Sequence, residues 1–178
     1  MRCLLGGMTL MTALLTLGCT GVPKGLSPVA GFEAQRYMGK WYEIARLDHR
    51  FERGLSDVSA TYALEDDGTI SVHNRGFSEA DRAWKEVQGT ARFRGDRTVG
   101  SLKVTFFWPF YGGYHIIALG RDQYSYAMVT GPSRSYLWIL SRTKRMDRAT
   151  LDGLVRQATE WGFATDRLIY VRQARVDG

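Results

Sequence analysis

The sequence is poor in the residues that build disulfides and metal sites. Its 178 residues include two Cys and three His. Both cysteines, Cys3 and Cys19, precede residue 20, so the rest of the chain has neither a disulfide framework nor a cysteine-based metal site. The histidines, His49, His73 and His115, are far apart and form no HxH or HExxH pattern, which argues against a metal centre.

Catalytic and nucleotide-binding motifs are also missing. The chain has no Gly-x-Ser-x-Gly nucleophile elbow, no GxGxxG and no Gly-Lys-Ser/Thr phosphate loop. We therefore predict no catalytic residue, no metal and no cofactor. The formal net charge is +6, but the N-terminus predicts export, and an exported chain does not meet nucleic acid. We interpret the charge as scattered and solvated, with a preference for anionic lipid headgroups as the alternative.

The N-terminus has the pattern of a secretory signal peptide. A positive start is followed by an apolar run, Cys3 to Leu17, that is short for a membrane span. Gly18-Cys19 resembles the cleavage box of bacterial lipoproteins, with Thr16 where those proteins prefer Leu. The resemblance implies that Cys19 is lipidated; a secretion signal with an incidental Cys is the alternative. The predicted divisions are a signal peptide over 1–18, a lipidated flexible tether over 19–30 and a domain over 31–178.

From Gly39 onward, short aromatic or β-branched runs alternate with turn residues such as those of Asp66-Asp67-Gly68. Pro109, with Gly112 and Gly113, is predicted to end the fifth run. About thirteen residues per strand and turn leave no room for crossover helices, so the strands should be antiparallel. The predicted strands span 40–47, 57–64, 69–75, 83–93, 100–107, 114–119, 123–130 and 136–142.

After residue 142 the apolar spacing becomes that of a helix. The stripe comprises Leu151, Leu154, Val155, Ala158 and Trp161. Asp147 is the predicted N-cap and Gly162 the predicted stop. We expect this helix to pack outside the sheet and residues 168–171 to form a short edge strand. Eight antiparallel strands fit either a filled sandwich or a barrel that holds one small apolar ligand.

Two motifs resemble hallmarks of the lipocalin family. Gly39-Lys40-Trp41-Tyr42 matches the family's G-x-W-Y, after a short helical turn over Glu33 to Met38, and Ser141-Arg142 matches its Arg at the end of strand eight. The family's middle T-D-Y motif falls near Leu119-Gly120-Arg121, where Gly replaces Asp. The resemblance implies an all-β protein. Its fold would be an eight-stranded antiparallel up-and-down β-barrel with one C-terminal α-helix packed outside and a short final strand.

The family's register implies that Trp41 and Arg142 meet at the closed end of the barrel, with the guanidinium over the indole face. Strand alternation directs Glu43 into the barrel near this base. A buried carboxylate needs a partner, and Arg142 is the nearest candidate by register. The predicted structural base comprises Gly39, Trp41, Glu43 and Arg142.

The same alternation nominates residues that line a cavity. Tyr136, Trp138 and Leu140 share a face with Arg142, with Tyr136 nearest the mouth and Leu140 nearest the base. Small residues among the aromatics favour unfilled volume. The predicted lining is Ala45, Gly89, Ala91, Tyr136, Trp138 and Leu140. Strand seven offers Tyr124, Tyr126 and Met128, and on strand five the choice stays open between Leu102, Val104 and Phe106 and the set Lys103, Thr105 and Phe107.

The resemblance implies a lipoprotein of the outer membrane, facing the periplasm, that stores or transports a fatty acid or lysophospholipid. Thr20, where Asp would signal inner-membrane retention, agrees with the outer membrane. Two alternatives stay open: an interaction lipoprotein of the cell envelope with a filled barrel, and a lipocalin-type isomerase or de-epoxidase. A homodimer is also considered, because the apolar stretch Phe106 to Tyr111 suits a membrane-touching rim, a dimer contact or a cover on the pocket.

Overall fold

A computed structural model of the protein describes residues 20–176. Residues 1–18 and Cys19 lie outside this range, and with them the predicted signal peptide and lipidation site. Eight antiparallel strands follow one another around a barrel, as the sequence predicts. The elements are α1 (Ala34–Tyr37), β1 (Gly39–Arg46), β2 (Leu55–Leu64), β3 (Ile70–Ser78), β4 (Ala83–Phe93), β5 (Ser101–Phe107), β6 (Phe110–Leu119), β7 (Tyr126–Thr130), β8 (Leu137–Ser141), α2 (Arg148–Glu160), a 3₁₀ turn (Thr165–Arg167) and β9 (Ile169–Tyr170).

The first strand closes the barrel by pairing with both of its neighbours. β1 pairs with β2 from Gly39↔Tyr62 to Tyr42↔Ser59, and with β8 from Tyr42↔Ser141 onward. Beyond Tyr42, β9 takes the place of β2 beside Ala45 and Arg46. Closure satisfies strand edges that would otherwise be open to pairing with other chains.

The N-terminal segment is held against the barrel and is not a free tether over 20–30 as the sequence predicts. The Val29 amide donates to the Ile116 carbonyl (2.8 Å), and the Val29 carbonyl accepts from the Gly100 amide (2.8 Å). Further towards the start of the segment, the Gly21 carbonyl lies 2.9 Å from His115 Nε2. Burial lowers the pKa of His115, which favours the neutral ring. These hydrogen bonds show that the segment, although it contains Gly and Pro residues, lies along the surface of the barrel.

The sixth strand begins earlier than predicted. The β5–β6 turn lies at Trp108 and Pro109, and β6 already includes Gly112 and Gly113. A side-chain carbon at Gly113 would lie 2.7 Å from His115 Nε2 and 3.1 Å from the Thr20 carbonyl oxygen. Gly113 therefore permits the close approach of the N-terminal segment and does not form a turn.

Two apolar layers hold the molecule together, one inside the barrel and one between the barrel and α2. The Asp147 side chain caps α2 by accepting from the Thr150 amide at 2.9 Å, and Gly162 follows the helix with a φ of +81°. Leu154 and Ala158 pack with barrel residues on the outer face. Among residues 20–176, no helix has the length and apolar character needed to span a bilayer.

Candidate ligand cavity

A cavity occupies the barrel interior and extends from Tyr37 of α1 to Glu52 on the β1–β2 connection and Phe106 near the end of β5. It encloses about 860 Å³ of empty space when the solvent at its mouth is included. Apolar side chains form most of its wall, and a few polar groups converge on one side. The lining residues include Tyr37, Glu43, Glu52, Val58, Tyr62, Ile70, Val72, Asn74, Ala91, Leu102, Val104, Phe106, Tyr114, Trp138 and Leu140.

Three of the six residues predicted to line the cavity do so: Ala91, Trp138 and Leu140. Trp138 lies opposite Arg46 and Leu140 opposite Glu43 on β1, so Leu140 is nearer the base. Tyr136 precedes β8 and is outside the lining; its ring stacks on Trp138 with centroids 6.0 Å apart. Tyr136 therefore lies beside the rim.

Two small residues predicted to line the cavity do not. Ala45 is fully buried in the layer between barrel and helix, because the β1–β8 register shifts between Glu43 and Ala45 and turns the following residues over. At Gly89, an added side-chain carbon would lie 2.7 Å from the Phe106 ring. Gly89 therefore admits Phe106 and leaves no empty volume of its own.

The structure settles the facing of strands five and seven. Leu102, Val104 and Phe106 line the cavity on β5. On β7, Ala127 and Val129 face the barrel interior, whereas Met128 and Tyr126 belong to the layer under α2. The sequence-based choice of Tyr126 and Met128 is wrong, and of the predicted set only Tyr124, which precedes β7, packs in the inner layer.

The closed end has the predicted contact between Trp41 and Arg142. The guanidinium carbon lies 3.9 Å from the indole centroid. Arg142 also donates to the carbonyls of Arg36 (2.8 Å), Lys40 (3.0 Å) and Tyr124 (3.3 Å). Gly39 has a φ of +90°, and a side-chain carbon there would lie 3.4 Å from Arg142 Nη1. Gly39 thus supplies a left-handed conformation.

Glu43 faces the cavity and does not pair with Arg142. Its Oε1 accepts from Arg46 Nη1 at 2.7 Å, and both side chains are buried. Burial raises the pKa of Glu43 well above its ordinary value, the charge of Glu52 adds to the effect, and Arg46 opposes it. Burial and the charge of Glu52 thus both favour the protonated form of Glu43, which hydrogen-bonds to Glu52.

Glu52 enters the same cluster from the β1–β2 connection. Trp138 Nε1 donates to the Glu52 Oε2 atom at 3.1 Å. His49 Nε2 lies 3.0 Å from the same oxygen, but the angle is not that of a hydrogen bond. Burial disfavours its charge, but contacts with His49, Glu43 and Trp138 hold the pKa of Glu52 below its ordinary value. The sequence analysis missed Arg46, His49 and Glu52 as partners of Glu43. Glu43 and these three residues are spaced three positions apart. In a regular strand, residues three positions apart point to opposite faces, so alternation does not predict that they meet.

Three tyrosines form a second polar group low in the cavity. The Tyr114 hydroxyl oxygen lies 2.8 Å from that of Tyr37 and 3.0 Å from that of Tyr62. Burial is the largest cause that raises the pKa of all three hydroxyls, so they stay neutral. Asn74 Oδ1 is also buried at the wall and has no hydrogen-bond partner in the structure. These groups can accept or donate hydrogen bonds to a polar part of a ligand.

Comparisons with known proteins agree with this architecture. The family model of the Lipocalin-like domain matches residues 32–173. The outer membrane lipoprotein Blc of Vibrio cholerae serotype O1 is 52% identical over 164 residues, covering 92% of this chain and 96% of the relative. Blc of Escherichia coli K12 is 48% identical over 163 residues, with 90% and 92% covered.

More distant proteins share the fold. Temperature-induced lipocalin-1 of Arabidopsis thaliana is 39% identical over 155 residues, covering 82% of this chain and 81% of the relative. The structure of insecticyanin from the tobacco hornworm Manduca sexta matches with a TM-score of 0.70 at 20% identity, covering 88% of each chain. The protein belongs to the lipocalin family.

Proposed function

We propose that the protein is a lipid-anchored lipocalin of the outer membrane that stores or transports an amphiphile, a fatty acid or lysophospholipid, in its barrel. The observation that carries the proposal is the open cavity, whose wall is mostly apolar and has few polar groups: those of Glu43, Glu52, Ser59 and Asn74 and three tyrosine hydroxyls. Burying an acyl chain contributes about 0.8 kcal/mol per CH₂ group. The relatives named outer membrane lipoprotein support the location in the outer membrane. The barrel in this proposal faces the periplasm.

The cavity favours binding over a filled, purely structural barrel. Side chains from β3, β4 and β5 leave space between them around Ala91. Binding is also favoured over isomerase or de-epoxidase chemistry. The acid and base that such an enzyme needs would have to be Glu43 and Glu52, which are engaged by Arg46, Trp138 and each other.

Lipid extraction and mass spectrometry of the purified mature protein test the proposal. We expect the protein to carry a stoichiometric amount of an amphiphile. We also expect that amphiphile to be chemically unchanged after incubation with the protein. A filled barrel yields none, and an enzyme yields a converted product.

Filling the cavity gives a matched binding experiment. Ala91 is buried in the lining, so Ala91→Trp should weaken binding of a fatty acid or lysophospholipid more than tenfold. Gln88→Trp, at an exposed position on the same strand, should bind like wild type. Equal affinity of the two variants would contradict binding in the barrel.

A further inference from the structure

A short C-terminal segment fills a gap in the barrel wall between β1 and β2. Direct pairing of the two strands covers only the first four residues of β1. Beyond them, residues 171–175, here called the strap, lie between the strands. The Val171 amide donates to the Ile44 carbonyl of β1 (2.9 Å), and the Asp57 amide of β2 donates to the Arg172 carbonyl (2.8 Å). The strap therefore completes the wall where β1 and β2 have separated.

The gap that the strap fills leads to the cavity. Glu43 on β1 and Val58 on β2 both line the cavity. The Gln173 side chain spans the gap at this level, because its Nε2 donates to the Glu43 carbonyl at 2.9 Å and to the Val58 carbonyl at 2.8 Å. One side-chain amide thus takes the place of the backbone hydrogen bonds that would join β1 to β2. Detachment of the strap would leave a lateral opening in the wall beside Glu43.

Polar and charged groups, not apolar packing, attach the strap to the barrel. Leu168 packs in the layer under α2, but no residue from 169 to 176 belongs to either apolar layer. Arg172 and Arg175 form ion pairs with Glu79, which is about half exposed, and exposed ion pairs stabilise a structure only weakly. Segments with little buried apolar surface open at a lower free energy than core strands. We therefore expect the strap to detach while the barrel stays folded.

Asp57 holds the other side of the strap and has an unusual backbone conformation. Its side chain is 2% exposed and accepts from the amides of Ala174 and Arg175, both at 2.6 Å. Its φ is +53°, in the left-handed region that residues other than glycine rarely adopt. Such a conformation persists only where surrounding contacts impose it, and the strap supplies most of these contacts. Detachment of the strap allows Asp57 to relax, which lowers the free energy of opening.

We propose that the strap is a lateral gate, which detaches to open a passage between β1 and β2 through which an amphiphile enters and leaves the cavity. The inference rests on the proposed binding of an amphiphile in the barrel. The passage would lead between Glu43 and Val58, so a polar headgroup would meet a carboxyl group and carbonyls while the acyl chain reaches the apolar wall. Such a gate sets the rate of ligand exchange. It leaves the affinity unchanged, because the closed bound and closed free states stay the same.

Stopped-flow quenching of the cavity tryptophan tests the gate. Trp138 lines the cavity, so dibromostearic acid should quench it on binding, and displacement by excess stearic acid gives the dissociation rate. Gln173→Ala removes the two hydrogen bonds across the gap, and we expect about tenfold faster association and dissociation with an unchanged Kd. Arg175→Ala, which removes ionic contacts of the strap, should act in the same direction. Gln157→Ala, at a half-buried Gln on α2, should exchange ligand at the wild-type rate.

Amide hydrogen exchange measures the opening itself, without ligand. The amides of Asp57, Val171 and Ala174 all bond across the contact between strap and barrel. We expect them to exchange together, at a lower free energy of opening than the amide of Ile116, which bonds to the Gly100 carbonyl in the barrel wall. Gln173→Ala should speed exchange at the strap amides and leave Ile116 unchanged.

The other results contradict the gate and identify what replaces it. Ligand exchange rates that stay at the wild-type value in both strap variants mean that the ligand passes through an end of the barrel. Faster dissociation alone, with a weaker Kd, means that the strap shapes the bound state and does not control passage. Strap amides that exchange as slowly as Ile116 mean that the strap opens only when the whole barrel unfolds. Wild-type protein that is not quenched, and from which no lipid is extracted, contradicts the proposed binding and with it the gate.

Discussion

At the residue scale, Glu43 carries a carboxyl group into an otherwise apolar wall and meets its ionic partner on its own strand. Arg46 contacts it at 2.7 Å, and Glu52 approaches it from the β1–β2 connection. Two carboxyl groups this close in a buried site share one proton more readily than they carry two charges. The raised pKa of Glu43 and the lowered pKa of Glu52 favour a single negative charge on the two carboxyl groups, which suits an apolar ligand nearby.

Replacing Glu43 with Gln should make the free energy of unfolding depend less on pH. Folding raises the pKa of Glu43, so the native state binds more protons than the unfolded state above the unfolded pKa of about 4.3. Wild-type stability from this group is therefore lost as pH rises towards the native pKa. The amide cannot ionise, and its oxygen can still accept from Arg46. Urea unfolding from about pH 5 to about pH 8 should give Glu43→Gln a relative gain that grows with pH.

The matched control is Glu52→Gln. The pKa of Glu52 is lowered by folding, so its charged form contributes stability above the unfolded pKa and this contribution is lost as pH falls. Glu52→Gln should therefore be less stable than wild type by an amount that stays nearly constant from about pH 5 to about pH 8, because the native and unfolded pKa values of Glu52 both lie below this range. A Glu43→Gln difference that does not change with pH would mean that Glu43 is ionised in the native state.

Single residues also mark the limit of what alternation can predict. The period of two placed Ala91, Trp138 and Leu140 correctly, because β4 and β8 are regular there. It failed at Ala45, where one register shift reverses the facing of every later residue. At Gly89 the missing side chain indicated space, but the Phe106 ring of a neighbouring strand occupies it. Neither effect is encoded in the strand that contains the residue.

At the scale of elements, α1, the start of β1 and the end of β8 close the base of the barrel together. The Trp41 indole donates to the Tyr37 carbonyl of α1 at 2.8 Å, and Arg142 covers its ring. Arg142 in turn binds carbonyls of Arg36 and Lys40. One side chain thus joins the end of β8 to α1 and the start of β1, more than 100 residues earlier in the sequence.

Removing the Trp41 side chain should destabilise the fold more than removing the charge of Arg142. Trp41 is fully buried, and Trp41→Ala should cost about 3–5 kcal/mol in the free energy of unfolding. Arg142→Leu should cost less, because Arg142 is partly exposed and water can solvate the freed carbonyls. Denaturant unfolding measures both, with Trp84→Ala on the outer face of β4 as the control. Equal and negligible effects of Trp41→Ala and Arg142→Leu would contradict their joint role in the base.

Elements were predictable where local chemistry specifies them. Asp147 and Gly162 bound α2 as expected, because cap and stop residues act within a few positions. Gly112 and Gly113 gave a false turn, since both lie within β6 and Gly113 accommodates the N-terminal segment. The tyrosine cluster of Tyr37, Tyr62 and Tyr114 was also missed. Its members come from α1, β2 and β6, and only closure of the barrel brings them together.

At the scale of the whole molecule, the N-terminal segment lies along β5 and β6 and runs from one end of the barrel to the other. The segment runs from Thr20 beside Gly113 to the pairing of Ala30 with Val99. The held path of residues 20–30 would make the distance between anchor and barrel short and fixed. A lipid on Cys19 would therefore orient the barrel relative to the membrane as well as retain it there.

Replacing Cys19 with Ser should abolish membrane association while leaving the barrel folded. Cys19 is the only candidate for acylation at the Gly18-Cys19 box, and Cys3 lies within the predicted signal peptide. We expect wild type and Cys3→Ser to partition with membranes and to carry an N-terminal peptide with acyl mass. Cys19→Ser should be soluble and lack that mass, with unchanged far-ultraviolet circular dichroism. Because a single acyl chain binds a bilayer only marginally and two or more hold it stably, a multiply acylated cysteine should account for the retention. If Cys19→Ser stays in the membrane fraction and wild type has no acyl mass, the protein is not a lipoprotein and another surface retains it.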